Sequence, residues 1–221
     1  MIKYVLFDLD GTLLSTLPTI TYHLNGALSA HGLGKITVEN TREYIGNGAR
    51  KLVTRAVNRC GVDDEAVISA VLSDYNRAYD ADPLPKTEPY DGITALVDRL
   101  HAEGFKLGVV TNKPEPTAKK LISHFFKDKI SIVSGGREGI VLKPDPTESL
   151  SVLADMGGVP SECAFVGDTS VDILTGKNMG AALSIGVTWG FRSREELLCA
   201  GADVTVDDAE SLYASLKGER L

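Results

Sequence analysis

The chain has 221 residues, of which 43% are hydrophobic and 24% are charged, and this balance excludes disordered, collagen-like and disulfide-scaffold classes. Its 23 basic residues are outnumbered by 30 acidic ones, and the net charge of −7 argues against nucleic acid as a partner. No apolar run approaches the roughly 18 residues of a membrane span and the three cysteines fit no short metal motif, so we expect a cytoplasmic protein that does not bind membranes.

The first predicted element is a buried strand over residues 2–9, rich in β-branched and aromatic side chains and followed by Gly11. From Pro18 to about Leu84, apolar residues recur at helical spacing and no strand is predicted. Beyond a proline-rich stretch at 83–89, helix and strand patterns alternate. Helices are predicted at 92–103, 115–125, 146–156 and 171–179, strands at 106–111, 131–134, 163–167 and 182–185, and a last strand-helix pair at 204–216.

This order of elements predicts an α/β fold, with a doubly wound parallel sheet (Rossmann-like) as its core. An all-helical domain inserted just after the first strand explains the long gap before the second strand. We expect the core to comprise residues 1–14 and 86–221 and the inserted cap domain to comprise residues 15–85.

Two carboxylates end the first predicted strand. Asp8 and Asp10 flank Leu9, and residues i and i+2 of an extended chain project to the same face. Gly11 permits a sharp exit from the strand, and Thr12 adds a hydroxyl and a backbone N–H beside the acids. By itself this pattern is equally typical of an acidic turn.

A second acidic pair follows the predicted strand 163–167. Because the carboxyl ends of parallel strands share one edge of a sheet, Asp168 and Asp172 are expected to meet Asp8 and Asp10 there. Carboxylates crowded together resist ionisation unless a cation offsets them. Oxygen ligands of this kind favour Mg²⁺, which binds readily alongside a substrate phosphate.

Further polar residues fall on the same edge. Thr111 and Asn112 end the predicted strand 106–111, and Lys143 lies between an apolar run and Pro144. A hydroxyl and an ammonium group would complete a clamp for an anion. Helix capping is the alternative for Thr111 and Asn112, and ordinary surface exposure is the alternative for Lys143.

These motifs resemble the haloacid dehalogenase-like phosphohydrolases. The four motifs of that family correspond here to the run Asp8-Leu9-Asp10-Gly11-Thr12, to Thr111, to Lys143, and to Gly167-Asp168 with Asp172. Within the family the chain is similar to phosphoglycolate phosphatases, through Gly46-Asn47-Gly48 and through Val187-Thr188-Trp189-Gly190-Phe191.

The resemblance implies a Mg²⁺-dependent phosphatase. Asp8 would be the nucleophile that forms an aspartyl-phosphate, and Asp10 would be the acid and base. Thr111 and Lys143 would hold phosphate oxygens. Asp168 would bind Mg²⁺ together with Asp8 and the backbone carbonyl of Asp10, and Asp172 would orient the metal site and Lys143.

The substrate is expected to be a small phosphorylated metabolite, with 2-phosphoglycolate favoured. Thr12, Asn112, Gly46, Asn47, Gly48 and Arg50 are predicted to contact it, although Gly46-Asn47-Gly48 is also typical of a plain helix-helix turn. Other metabolite phosphatases, pyrophosphatases and phosphomutases use the same scaffold, and a non-catalytic phosphate-sensing module is the alternative from another class.

The protein is expected to be a monomer or a dimer. The family usually has Asp-Ser where Ser15 and Thr16 stand, at the hinge between core and cap. The family's hinge and substrate details are therefore not carried over to these two positions.

Overall fold

A computed structural model of the chain describes residues 1–45 and 48–219. In chain order its elements are β1 (Tyr4–Phe7), β2 (Leu14–Ser15), α1 (Leu17–Ala30), α2 (Val38–Tyr44), α3 (Ala49–Arg59), α4 (Glu65–Ala81), β3 (Glu88–Pro89), α5 (Ile93–Ala102), β4 (Lys106–Pro114), α6 (Glu115–Phe125), β5 (Ile132–Gly136), α7 (Thr147–Asp155), β6 (Cys163–Gly167), α8 (Ser170–Asn178), β7 (Leu183–Val187), α9 (Arg194–Cys199), β8 (Val204–Val206) and α10 (Ala209–Lys217). A short 3-10 turn, Pro160–Glu162, precedes β6.

The chain forms two compact units. One comprises Met1–Ser15 with Pro89–Leu221, and the other comprises Thr16–Glu88. We expected the chain to cross between domains at 14/15 and 85/86, whereas the units divide at 15/16 and 88/89. The first boundary follows the end of β2, and the second falls within β3.

The first unit is built on a six-stranded sheet in the order β5-β4-β1-β6-β7-β8, and its strand pairs are parallel. The chain moves outward from β1 to β4 and β5, then returns to β6 on the other side of β1. The reversal of strand order therefore falls between β1 and β6. In sheets of this type, ligands bind in the crevice at that reversal, beyond the carboxyl ends of the strands.

Buried apolar side chains explain why the central strands form. Val5, Leu6 and Phe7 of β1 are fully inaccessible to solvent, as expected for a strand covered on both faces by helices. On one side Leu6 packs with Phe165 of β6 and Val152 of α7 in a common apolar cluster. The sheet is thereby fixed as a rigid base for the loops at its edge.

The described residues of the second unit form the four helices α1 to α4, joined by loops, and the unit has its own core. Apolar residues of its helices form one buried cluster that contains, for example, Leu24 of α1, Val53 of α3 and Val71 of α4. Two helix starts are capped, α2 by the capping box of Thr37 with Asn40 and α4 by the Asp64 carboxylate. The helical spacing of apolar residues predicted this arrangement.

Several details of the element prediction were wrong. The short strands β2 and β3 were not predicted, and β4 extends three residues beyond the predicted strand 106–111. The first strand is shorter than residues 2–9, because its ladders to β4 and β6 end at Phe7. Helix α9 was missed, because its six residues are too few to show helical periodicity. Within the described residues, no helix is long and apolar enough to cross a membrane.

Candidate active site

Three carboxylates meet at the carboxyl edge of the sheet. Asp8 follows β1, Asp168 follows β6, and Asp172 lies in the first turn of α8. One carboxylate oxygen of each residue lies within 4.8 Å of the corresponding atoms of the other two, and all three residues are buried. They come together because β1 and β6 are paired neighbours, with Phe7 opposite Val166.

The Lys143 side chain bridges two of these acids. Its ammonium group is 2.7 Å from Oδ1 of Asp8 and 2.7 Å from Oδ1 of Asp172, and it is almost completely buried. Burial by itself would lower the pKa of Lys143, but the charges of Asp172 and Asp8 raise the pKa above its ordinary value. Lys143 is therefore held as a cation inside the cluster.

One lysine does not offset three buried acids. Burial raises the pKa of Asp8 to about 6, and the charges of Asp172 and Asp10 add to this effect while Lys143 opposes it. Burial, followed by the charges of Asp172 and Asp8, raises the pKa of Asp168 well above its ordinary value. Because a divalent cation would relieve this repulsion and carboxylate oxygens are suitable ligands, the cluster could hold a divalent metal.

Two glycines allow the backbone to close around Asp168. Gly11 has a φ of +89°, and a Cβ atom at this position would lie 2.2 Å from Oδ2 of Asp168. A Cβ atom at Gly190 would lie 2.3 Å from Cβ of Asp168. Side chains at either position would displace the carboxylate, so the loops after β1 and β7 fix where Asp168 lies.

The carboxylate of Asp10 points to a different partner. Among the described residues the acidic group consists of Asp8, Asp168 and Asp172, whereas both oxygens of Asp10 contact the ammonium group of Lys113, at 3.0 and 3.2 Å. The side chain of Asp10, which was expected to meet the other three acids, therefore lies outside this group. Its backbone carbonyl, the metal ligand that the resemblance implies, stays a prediction. Lys113 was missed in the sequence, although it lies two residues beyond Thr111, in the irregular last part of β4 where the register to β5 shifts.

Thr111 lies buried in β4, where it was expected. Its hydroxyl oxygen accepts a hydrogen bond of 3.3 Å from the backbone N–H of Lys113. Thr111 is therefore part of the same strand end that carries Lys113, at the carboxyl edge of the sheet.

Comparison with known proteins shows the family to which this chain belongs. Residues 5–185 match the sequence profile of the haloacid dehalogenase-like hydrolases. The chain belongs to this family. The matched residues include all of the carboxylates and lysines described above.

Relatives of this hydrolase point to a phosphatase. A phosphoglycolate phosphatase of Rhodospirillum rubrum is 35% identical over 218 residues, which cover 96% of this chain and 90% of the relative. Phosphoglycolate phosphatase 1 of Pseudomonas aeruginosa is 34% identical over 88% of this chain and 74% of its own length. A crystal structure from Lactobacillus delbrueckii subsp. bulgaricus, provisionally named a phosphoglycolate phosphatase, superposes with a TM-score of 0.91 at 31% identity and covers 97% of this chain and 98% of its own. The hydrolase is therefore a phosphatase of this family.

Two predicted substrate contacts of the hydrolase have partners within the protein. The Thr12 hydroxyl donates to Oδ1 of Asp168 at 3.1 Å. The Asn112 side chain accepts from the backbone N–H of Lys143 at 2.8 Å and donates to its carbonyl at 3.2 Å. In the structure these side chains hold Asp168 and Lys143, and their substrate contacts stay predictions.

The predicted cap residues belong to the second unit. Gly46 and Asn47 lie outside the described residues. Gly48 precedes α3 with a φ of +84°, and the guanidinium group of Arg50 forms an ion pair with the carboxylate of Glu65. Both partners of this ion pair are largely exposed, so the contact adds little stability, and a substrate contact of Arg50 stays a prediction.

The loop after β7 contacts the loop after β1 and Asp168. The indole N–H of Trp189 donates to the Thr12 carbonyl at 3.0 Å, and the backbone N–H of Phe191 donates to Oδ2 of Asp168 at 2.8 Å. In the sequence analysis this segment supported only the resemblance to phosphoglycolate phosphatases, and no contact with the site was predicted for it. Its contacts show that it positions both the loop after β1 and Asp168.

Proposed function

We propose that this chain is a Mg²⁺-dependent phosphatase that hydrolyses small phosphate monoesters, with 2-phosphoglycolate favoured, through an aspartyl-phosphate on Asp8. The observation that carries the proposal is the buried ammonium group of Lys143 between Asp8 and Asp172, beside Asp168. A nucleophilic carboxylate, a fixed cation and an unneutralised acidic group are together what phosphoryl transfer requires.

In the first step, a carboxylate oxygen of Asp8 attacks phosphorus and the ester P–O bond breaks. Asp10 gives its proton to the leaving alkoxide. In the second step, Asp10 takes a proton from a water molecule whose oxygen attacks phosphorus. The bond between phosphorus and Asp8 breaks, and inorganic phosphate leaves with Asp8 regenerated.

Asp8, Asp168 and Asp172 are the residues of the site whose chemistry fits Mg²⁺, and the Asp10 carbonyl is a further ligand implied by the family. When bound, Mg²⁺ would supply positive charge that offsets the carboxylates and the transferring phosphoryl group. Lys143 would hold phosphate oxygens, and its contact with Asp172 keeps it directed toward Asp8.

The size of the required rate enhancement supports separate roles for Asp10, Lys143 and a divalent cation. Monoester hydrolysis requires an enhancement of up to about 10²¹-fold, or roughly 29 kcal/mol. Acid–base catalysis by Asp10 would supply about 10²- to 10⁴-fold of it. The remainder has to come from positioning and from charge stabilisation, which the buried Lys143 and a divalent cation are suited to provide.

We further propose that the helical residues 15–85 form a cap domain that selects the substrate. Gly46, Asn47, Gly48 and Arg50 are the candidate residues, with Arg50 offering a cation for a substrate carboxylate. A cytoplasmic location and a monomeric or dimeric state are part of the same proposal, and cell fractionation and light scattering test them.

Phosphate release from a panel of phosphorylated metabolites tests the proposed function. Wild type is expected to turn over 2-phosphoglycolate with Mg²⁺ and to lose turnover in EDTA, and Asp8→Asn is expected to be inactive with every ester. Equal turnover by wild type and Asp8→Asn would refute the assignment of the nucleophile. Formation of an isomeric phosphate ester would indicate a phosphomutase, and preference for pyrophosphate would indicate a pyrophosphatase.

A further inference from the structure

A second buried lysine, Lys113, contacts Asp10, the second carboxylate of the loop after β1. The Lys113 side chain is 3% exposed, and its ammonium group is 3.0 Å from Oδ1 and 3.2 Å from Oδ2 of Asp10. Removing a lysine from water costs several kcal/mol, and an ion pair of this kind adds little net stability. Stability is therefore a poor reason for burying Lys113 here.

The strand geometry explains how Lys113 reaches Asp10. The pairing of β4 with β1 ends at Phe7 and Val109, yet β4 continues to Pro114. Its last residues therefore extend past the end of β1, alongside the loop that starts with Asp8. Since Pro114 restricts the preceding residue to extended conformations, the backbone of Lys113 is fixed as well.

The two carboxylates of the first loop are thus held by different cations. Asp8 contacts Lys143, and Asp10 contacts Lys113. Leu9 between them is fully buried, which anchors the backbone of the pair. The side chain of Asp10 is 16% exposed, and the last torsion of an aspartate is broad, so without a partner its oxygens would rotate.

We propose that Lys113 is a positioning residue for Asp10, fixing its carboxyl group so that one oxygen keeps the contact with the ammonium group while the other carries the proton and faces the leaving oxygen of the substrate. The inference rests on the proposed function, in which Asp10 gives a proton to that oxygen. Lys113 acts through Asp10 and not on the phosphoryl group. Misplacing a reacting group by about 1 Å can cost roughly 10²-fold in rate. The gain in rate from holding this carboxylate in place therefore explains why Lys113 is buried despite the cost in stability.

A positioning role can be separated from a structural one by varying the leaving group. Phenyl phosphate and p-nitrophenyl phosphate have nearly the same shape, but phenolate is the more basic leaving group and needs the proton more. A defect in Asp10 placement should therefore slow phenyl phosphate much more than p-nitrophenyl phosphate. A general loss of folding or binding should slow both equally.

The experiment measures single-turnover release of phenol and p-nitrophenol by wild type, Lys113→Met, Lys113→Arg, Asp10→Asn and the double variant Lys113→Met/Asp10→Asn. Lys113→Met is expected to lose about 10- to 100-fold with phenyl phosphate, within the contribution of a general acid, and less than about threefold with p-nitrophenyl phosphate. Lys113→Arg should recover part of the loss. In the Asp10→Asn background, Lys113→Met should cause no further loss, since the two residues act as one unit.

Lys177→Met is the matched control. Lys177 also pairs with an aspartate of the same unit, Asp203, but its side chain is 38% exposed, and its removal should leave both rates unchanged. Melting curves by circular dichroism check folding, and Lys113→Gln replaces Lys113→Met if the latter unfolds.

Equal losses with the two esters, or additive losses in the double variant, would overturn the positioning role of Lys113. These outcomes differ from a failure of the proposed function, which would appear as undiminished turnover by Asp8→Asn or as no hydrolysis of any ester by wild type. The aryl esters keep the test independent of whether 2-phosphoglycolate is the substrate.

Discussion

Asp8→Asn is expected to stabilise the metal-free protein while abolishing its activity. Burial raises the pKa of Asp8 to about 6 from an ordinary value of 3.8, which means that ionising this side chain costs the folded state free energy. Asparagine has the same shape as the neutral acid and can still accept the hydrogen bond that Lys143 donates to Oδ1. The substitution removes the cost and keeps the contact.

The magnitude follows from the difference between the two pKa values. Going from 3.8 to about 6 corresponds, at about 1.36 kcal/mol per pKa unit, to about 3 kcal/mol. Because the pKa is raised in the folded state, wild type retains this stability below pH 3.8 and loses it as the pH rises through about 6. The advantage of Asp8→Asn should therefore be absent at low pH and complete at pH 7.5.

Thermal and urea unfolding in EDTA measure the effect. For a chain of this length, about 3 kcal/mol corresponds to a rise in Tm of about 6–12 °C. Asp98→Asn is the control, since Asp98 is 50% exposed and pairs with Lys129 at the surface, so its removal should change stability by less than about 1 kcal/mol at any pH. Saturating Mg²⁺ should reduce the advantage, because ligand binding stabilises wild type more.

An unchanged or lower Tm for Asp8→Asn at pH 7.5 in EDTA would refute this reasoning. So would an advantage of the same size at pH 4 and at pH 7.5, because it could not then arise from ionisation of Asp8. The first result would mean that Lys143 already compensates the charge of Asp8 in the folded protein.

Three other results are expected. Asp168→Asn should abolish the rise in Tm that Mg²⁺ causes in wild type, and a retained rise would place the metal elsewhere. Trp189→Phe removes the hydrogen bond to the Thr12 carbonyl, worth about 1 kcal/mol, and should weaken Mg²⁺ binding about fivefold in a thermal titration; an unchanged affinity would contradict its supporting role. Burial raises the pKa of the Cys163 thiol to about 12, so a thiol reagent at pH 8 should label exposed Cys199 rapidly and Cys163 only on unfolding, as mass spectrometry of the labelled peptides would show.

The convergence of acids at one edge could be predicted because it depends on topology alone. Parallel strands align their carboxyl ends whatever their exact lengths, so acids after β1 and β6 must lie near each other once these strands are neighbours. Asp8 and Asp168 illustrate this point. The shorter extent of β1 left the prediction intact, since both acids still follow directly on paired strands.

The partners of individual polar groups could not be predicted in the same way. A hydroxyl or an amide can serve a substrate or a neighbouring residue equally well, and distances of a few ångströms decide between them. Thr12 and Asn112 lie at the predicted edge, but their hydrogen bonds go to Asp168 and Lys143. Sequence spacing determines the side of the sheet on which such groups lie, and only the packed structure determines what they contact.

Lys113 is the instructive case, because the sequence contains the signal that identified Lys143. Each lysine directly precedes a proline, Pro114 or Pro144, and each follows an apolar run, Lys143 directly and Lys113 after two intervening residues. Proline keeps the preceding residue extended, so a lysine in this position projects from a fixed backbone and not from a mobile loop. A lysine with a fixed backbone at the carboxyl edge of a parallel sheet, beside an acidic loop, should be treated as a candidate site residue. Applied to both lysines, that rule predicts two buried cations for the two carboxylates of the first loop, which is the arrangement in the structure.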